Sequence, residues 1–165
     1  MTAKGDGGAI VSYVHMGGKI GVLLSGEAPT AAAAKEPAFI EFLDNCAMQI
    51  AAMSPTVVDK SEVAEAEIAK QKEIFAAQLK DEGKPEAAWP KIIEGKVTKW
   101  FTEITLLGQD NVWGAEGTID KLRQDLGKKL GGEVKLHSFF RYGLGDGIEK
   151  KVDDLAAEVA KMTGG

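Results

Sequence analysis

The stretch Ile10–Ser25, IVSYVHMGGKIGVLLS, decides the fold class. Ile10–His15 is rich in β-branched residues and tyrosine and reads as a short strand. Met16-Gly17-Gly18 supplies the turn, because glycine accepts a positive φ. Lys19–Ser25 returns as a second strand with Ile20, Val22 and Leu24 on one face at period two. The two form a hairpin, and a hairpin needs a helix or a further strand to cover its apolar face.

Both are legible further along. Ala28–Lys35 is alanine-rich and reads as a loop or a weak helical turn. Pro37 suits the first position of a helix, which runs to about Met53 with Phe39, Leu43, Cys46, Met48, Ile50 and Met53 on a broad apolar face; Ser54-Pro55 stops it. Asp59 and Glu62 have capping-box spacing for the next helix, which extends to about Glu82 with a narrow stripe of Ile68, Phe75 and Leu79. Gly83-Lys84-Pro85 ends that helix, and Pro85 opens another to about Leu107. There Trp89, Ile93, Val97, Trp100, Ile104 and Leu107 form a seam of coiled-coil type. Pro90 lies past the first turn of this helix and predicts a kink. Helices joined by so short a turn are antiparallel neighbours, so Ser61–Leu107 reads as a helical hairpin. Gly108–Gly117 is a loop carrying Trp113. Thr118 caps a helix to about Leu130, which Gly131-Gly132 ends. Glu133–Tyr142 is the clearest strand, with Val134, Leu136, Phe140 and Tyr142 placed by alternation. Asp146 and Glu149 open a last helix through Val152, Leu155, Val159 and Met162. The expected fold is therefore α+β: a small antiparallel sheet flanked by helices, with an inserted antiparallel helical hairpin of coiled-coil type.

Composition bounds the function. At 165 residues the chain forms one domain able to bury a core without disulfides or metals. A net charge of −5 provides no basic footprint for direct nucleic-acid binding. One cysteine excludes an internal disulfide framework and a CxxC metal site. No apolar run reaches the roughly 20 residues of a membrane helix. Met1–Gly8 is polar and glycine-rich, unlike a signal peptide, so the expectation is a cytoplasmic protein without membrane contact.

Chemistry-bearing residues do not assemble. His15 and His137 come from separate strands with no acidic residue at metal spacing beside them, and read as structural or surface residues. Ser12 and His15, three apart on one strand, face opposite sides of the sheet. Cys46 reads as a buried, inert thiol; the sharper alternative is an exposed thiol at a dimer interface. Gly143-Leu144-Gly145-Asp146-Gly147 lies between strand and helix but is GxGxG rather than GxGxxG, and Asp146 would repel a phosphate. It reads as a capped helix start. Trp89 and Trp100 are seam residues rather than a ligand-stacking pair, and Glu65, Glu67, Lys70 and Lys72 a solvated helix face. No nucleophile, base and orienting group come together, so neither an enzyme nor a cofactor or metal site is expected.

Several short motifs occur in the order found in one family. Ser12-Tyr13-Val14-His15 with Gly18-Lys19-Ile20-Gly21-Val22-Leu23, and Ala47-Met48-Gln49-Ile50-Ala51-Ala52 before Ser54-Pro55, open the series. Gly83-Lys84-Pro85, Glu94-Gly95-Lys96 and Lys99-Trp100-Phe101 follow, then Gly108-Gln109, Thr118, Arg141-Tyr142 and Gly145-Asp146-Gly147-Ile148-Glu149-Lys150. Together they resemble elongation factor Ts, across nearly the whole chain. The resemblance implies a partner of elongation factor Tu that promotes GDP release in protein synthesis. It implies a single C-terminal (dimerisation) domain over 1–165, a helical hairpin at 61–107 and a C-terminal helical module at 147–163. It also implies that the family's AMHIAA helix, here Ala47, Met48, Gln49 and Ile50, faces domain 3 of Tu, with Gln49 in place of histidine. The last helix, with Ile148, Val152 and Leu155, would touch the nucleotide-binding domain. Two departures stand out. Gln109-Asp110-Asn111-Val112 replaces the family's QPFV. The TDFV motif of the family's N-terminal finger, which disturbs the nucleotide site, occurs nowhere in this chain, as expected of an excised piece or a natural short relative. The alternative reading is therefore a Tu-docking or regulatory module without exchange; a small-molecule or enzymatic domain is the reading from another class. A homodimer through the sheet edge or the helix around Cys46 is compatible with the sequence.

Overall fold

The computed structural model describes residues 1–147. Within them the order is β1 (Gly8–His15), β2 (Ile20–Glu27), α1 (Pro37–Met53), α2 (Glu65–Asp81), α3 (Trp89–Ile104), α4 (Ile119–Leu130) and β3 (Lys135–Gly143). The strands form one antiparallel sheet in the order β1-β2-β3. The α+β class expected from the sequence is the class observed. The hairpin turn at Met16–Gly18 places Gly17 and Gly18 at φ 65° and 95°, where glycine carries no Cβ penalty, and draws Met16 to φ 51° as well.

Helix α1 covers the inner face of the sheet. Val22 and Leu24 of β2 meet Phe39, Leu43, Cys46 and Ile50 of α1, with Ile119 and Leu126 of α4 and Val134 closing the sides. Each large aliphatic or aromatic side chain so buried contributes about 1.5–3 kcal/mol relative to exposure. Pro37 occupies the first turn of α1, and Ser54 ends it in the left-handed region at φ 51°, its N–H donating to the Ile50 carbonyl. Helix and sheet approach closely at Gly26, where a Cβ would lie 2.6 Å from Leu43 Cδ2.

Four local expectations are corrected. The alternation expected along β3 does not run through the strand. A bulge between Ser25 and Gly26 of β2 leaves Leu136 opposite Gly26 and Ser138 opposite Ser25, so His137 is the extra residue. The inversion turns Phe139 toward the core and leaves Phe140 and Tyr142 44% and 57% exposed. The Asp59–Glu62 capping box exists, but it caps a single 3-10 turn at Lys60–Glu62. Val63 is buried and, like Ala64, extended, so α2 starts at Glu65 rather than Ser61. A 3-10 turn at Glu86–Ala88 follows Pro85, and α3 starts at Trp89. Pro90 is thus in the first turn, where its missing N–H costs nothing. Finally, α3 stops at Ile104 rather than Leu107, because Leu106 and Leu107 donate their N–H groups to the Val57 and Val58 carbonyls at 2.9 and 3.0 Å.

That last pairing fixes the root of the α2–α3 pair. The two helices pack on each other: Lys96 Nζ lies 5.6 Å from the Phe75 ring centroid and 3.5 Å from Gln78 Oε1. Only Leu79 of α2 and Val97 of α3 are fully buried, so the seam is thin. Glu65, Glu67, Lys70 and Lys72 are exposed, as expected of a solvated face.

Two predictions test this packing. Leu24→Ala should lower unfolding free energy by about 2–5 kcal/mol, measured by urea denaturation. At Asp59, the hydroxyl and backbone N–H of Ser61 donate to the carboxylate and hold its pKa below the ordinary range. A lowered folded pKa means stability that is present above the unfolded value of about 4 and lost as pH falls through the folded one. Asp59→Ala should therefore lower the thermal midpoint at pH 7, with the gap from wild type closing in acid.

Candidate functional site

The polar residue Gln49 lies on the apolar stripe of α1 and is 0% exposed. A buried amide must find partners, and Gln49 finds three. Its Nε2 donates to Gln109 Oε1 at 3.0 Å and to the Asp110 carbonyl at 3.1 Å, while its Oε1 accepts from the Val112 N–H at 2.9 Å. Gln109, itself buried, donates from Nε2 to the Glu103 carbonyl of α3 at 2.8 Å. Asn111 folds the following loop on itself: its Nδ2 donates to the Ala115 and Gly117 carbonyls, and its Oδ1 accepts from the Ala115 N–H. A bridge between Asp110 and Thr118 closes the loop, and Trp113 packs on the core. The Gln109–Val112 segment is thus tied to α1, to the end of α3 and to the start of α4.

Of the four α1 residues expected at a partner contact, Ala47, Gln49 and Ile50 are fully buried, and Met48 is half-buried. Around them the surface is made by Met53, 51% exposed, and Val112, 44% exposed. A groove of about 440 Å³ lined by Met53, Thr102, Glu103, Gln109, Asp110 and Thr118 runs alongside. The other residues expected at a contact, Ile148, Val152 and Leu155, lie outside the described residues, as does the helix they were expected to form. Gln109 and Asp110 were not singled out as a site from sequence. The available signal was Gln49 itself, since a polar side chain at a core position demands partners elsewhere in the chain.

A second exposed feature is the outer face of the sheet. Ile10, Val14, Leu23, Phe140 and Tyr142 are exposed there, and Leu23 pairs with Phe140 across β2 and β3. The Phe140 and Tyr142 rings stack with centroids 6.1 Å apart.

The remaining candidates are structural. His15 Nδ1 shares a hydrogen bond with the Tyr13 hydroxyl at 3.0 Å. His137 Nε2 lies 2.8 Å from Glu27 Oε2, an acidic neighbour that sequence spacing could not reveal because the two are 110 residues apart. Among the described residues no group of three or more His, Cys, Asp or Glu could hold a metal ion. No described helix is long and apolar enough to cross a membrane. In the Gly143–Gly147 turn, Asp146 Oδ2 accepts from the Gly143 N–H, so the carboxylate occupies the donor a phosphate would use. Trp89 and Trp100 are half-buried on α3, and Trp89 Nε1 donates to the Lys84 carbonyl at 2.8 Å. Cys46 is fully buried, which corrects the exposed-thiol alternative, and burial pushes its thiol pKa well up.

Comparison with known proteins identifies a family. The family model described as "Elongation factor TS" matches residues 1–146. Elongation factor Ts of Desulforamulus reducens is 40% identical over 153 residues, spanning 93% of this chain and 70% of that protein. That of Geobacter metallireducens is 40% identical over 157 residues, spanning 95% and 73%. That of an Anaeromyxobacter species is 42% identical over 157 residues, spanning 95% and 72%. The matched class is that of the translation elongation factors, proteins of protein biosynthesis. Within it, the chain belongs to the elongation factor Ts family.

The burial of Cys46 makes a direct prediction. The native protein should not react with a thiol-specific reagent at pH 8, and one equivalent should react once urea unfolds it. Rapid labelling of the native protein would contradict the packing around α1.

Proposed function

We propose that this chain binds elongation factor Tu in the cytoplasm and promotes release of GDP during protein synthesis, acting as a binding protein rather than an enzyme. The observation that carries the reading is the family match over residues 1–146. On this reading the α2–α3 pair is the family's coiled-coil insertion. The partner contact near α1 is made by Met48 and the surface around the buried Gln49, and a second contact comes from the segment holding Ile148, Val152 and Leu155.

Exchange is a linkage effect. A factor that binds nucleotide-free Tu more tightly than Tu·GDP must weaken GDP binding by the same free energy. A surface that meets both states alike binds without exchanging. The second reading is a docking or regulatory module that binds Tu without exchange.

A pull-down with Tu, paired with release of a fluorescent GDP analogue, separates the readings. The expected outcome is capture of Tu with release faster than the spontaneous rate. Capture without acceleration selects the docking module, and absence of capture overturns both.

A further inference from the structure

We propose that Gln49 is a positioning residue: it never touches the partner, and instead presets the Asp110–Val112 edge that does. The inference rests on the Tu-binding reading above and specifies how that surface is built.

The geometry separates holding from contacting. Gln49 has no exposed surface, and its amide is fully engaged with Gln109, Asp110 and Val112. Ala47 and Ile50 beside it are equally buried. Whatever meets this side of α1 therefore meets the residues around them. Asp110 and Val112 are exposed, with Met53 and Glu103 lining the same groove, giving an edge with aliphatic side chains and two carboxylates. Asn111 closes the loop internally. The loop's attachment to α1 through side-chain hydrogen bonds is Gln49.

The chemistry at position 49 is specific. The clamp needs two donors and one acceptor at the end of a two-methylene stem, and the Gln amide supplies both kinds at once. A neutral histidine has one donor and one acceptor, so it can hold at most two of the three bonds. A Glu can only accept when ionised, and a Met of similar size offers neither strong donor nor strong acceptor. Holding the edge in its bound arrangement before the encounter removes an ordering cost from association. Loss of the clamp should therefore appear as lost affinity from a residue that a partner cannot reach.

The test combines amide hydrogen exchange with Tu affinity in the full chain bearing Gln49→Met or Gln49→His. In Gln49→Met, exchange at the Val112 amide should rise by about tenfold or more, and affinity for Tu should fall by about tenfold, while amides of β2 stay protected. Gln49→His should be intermediate in both, a graded rescue that simple destabilisation would not produce. Should Gln49→Met fail to fold, Gln109→Met removes one partner of the same clamp and should loosen Val112 and weaken binding in parallel. Unchanged Val112 exchange in Gln49→Met overturns the clamp. A loosened loop with undiminished affinity overturns its role in recognition. If the unmodified chain shows a protected Val112 amide but does not bind Tu, the functional reading fails and the positioning role fails with it, an outcome distinct from either of the others.

Discussion

The burial of one helix against one strand carries the structure. Leu24 of β2 and Phe39, Leu43 and Ile50 of α1 have no exposed surface, and the other elements are arranged around that contact. The sheet is small, so its inner face cannot be buried by strands alone. Helix α1 closes it, approaching so closely that a Cβ at position 26 would force Leu43 to shift. The bulge at that point of β2 turns β3 over, taking Phe139 inward and Phe140 outward.

A different constraint governs the helical pair between β2 and β3. Its own seam buries little, so its orientation depends on its root. Two short segments, Thr56–Val58 and Ile104–Leu107, pair along their backbones and fix the chain entering and leaving the pair. Gln109 then links the end of α3 to Gln49 on α1. Core, helical pair and loop are connected through this backbone pairing, through the Gln49–Gln109 hydrogen bond, and through Leu106, Leu107 and Trp113 packed with the core. The hydrogen bonds among these are directional, because each fixes an angle as well as a distance. They suit a protein that must present a surface in one orientation.

Much of this was legible in the residues. Composition and period-two spacing located the three strands, although the alternation expected along β3 breaks at the bulge, and helical spacing with end signals located the four described helices. Pro37, Ser54-Pro55, Thr118 and Gly131 marked their element ends correctly, since each acts through the backbone of its immediate neighbours. The motif order along the chain led to the elongation factor Ts family, and the comparisons reach the same family. Two of the places where local reading erred share one cause. At Thr105–Leu107 and at the β2 bulge, contacts with distant segments override what the neighbouring residues favour.

By itself, then, the sequence determined the α+β class, the helix behind the hairpin, the pairing of α2 with α3, and the family. These depend on periodicity, capping and ordered motifs, all short-range or linear properties. Tertiary structure alone decided that Gln49 is buried and bonded to Gln109, Asp110 and Val112. It also decided that Glu27 faces His137, and that Phe140 and Tyr142 look outward. Each of those depends on which residues meet across 60 or more positions of chain, or on a single extra residue in a strand. A side chain's type states what it can bond, but its partner is chosen by the packing that brings the two together.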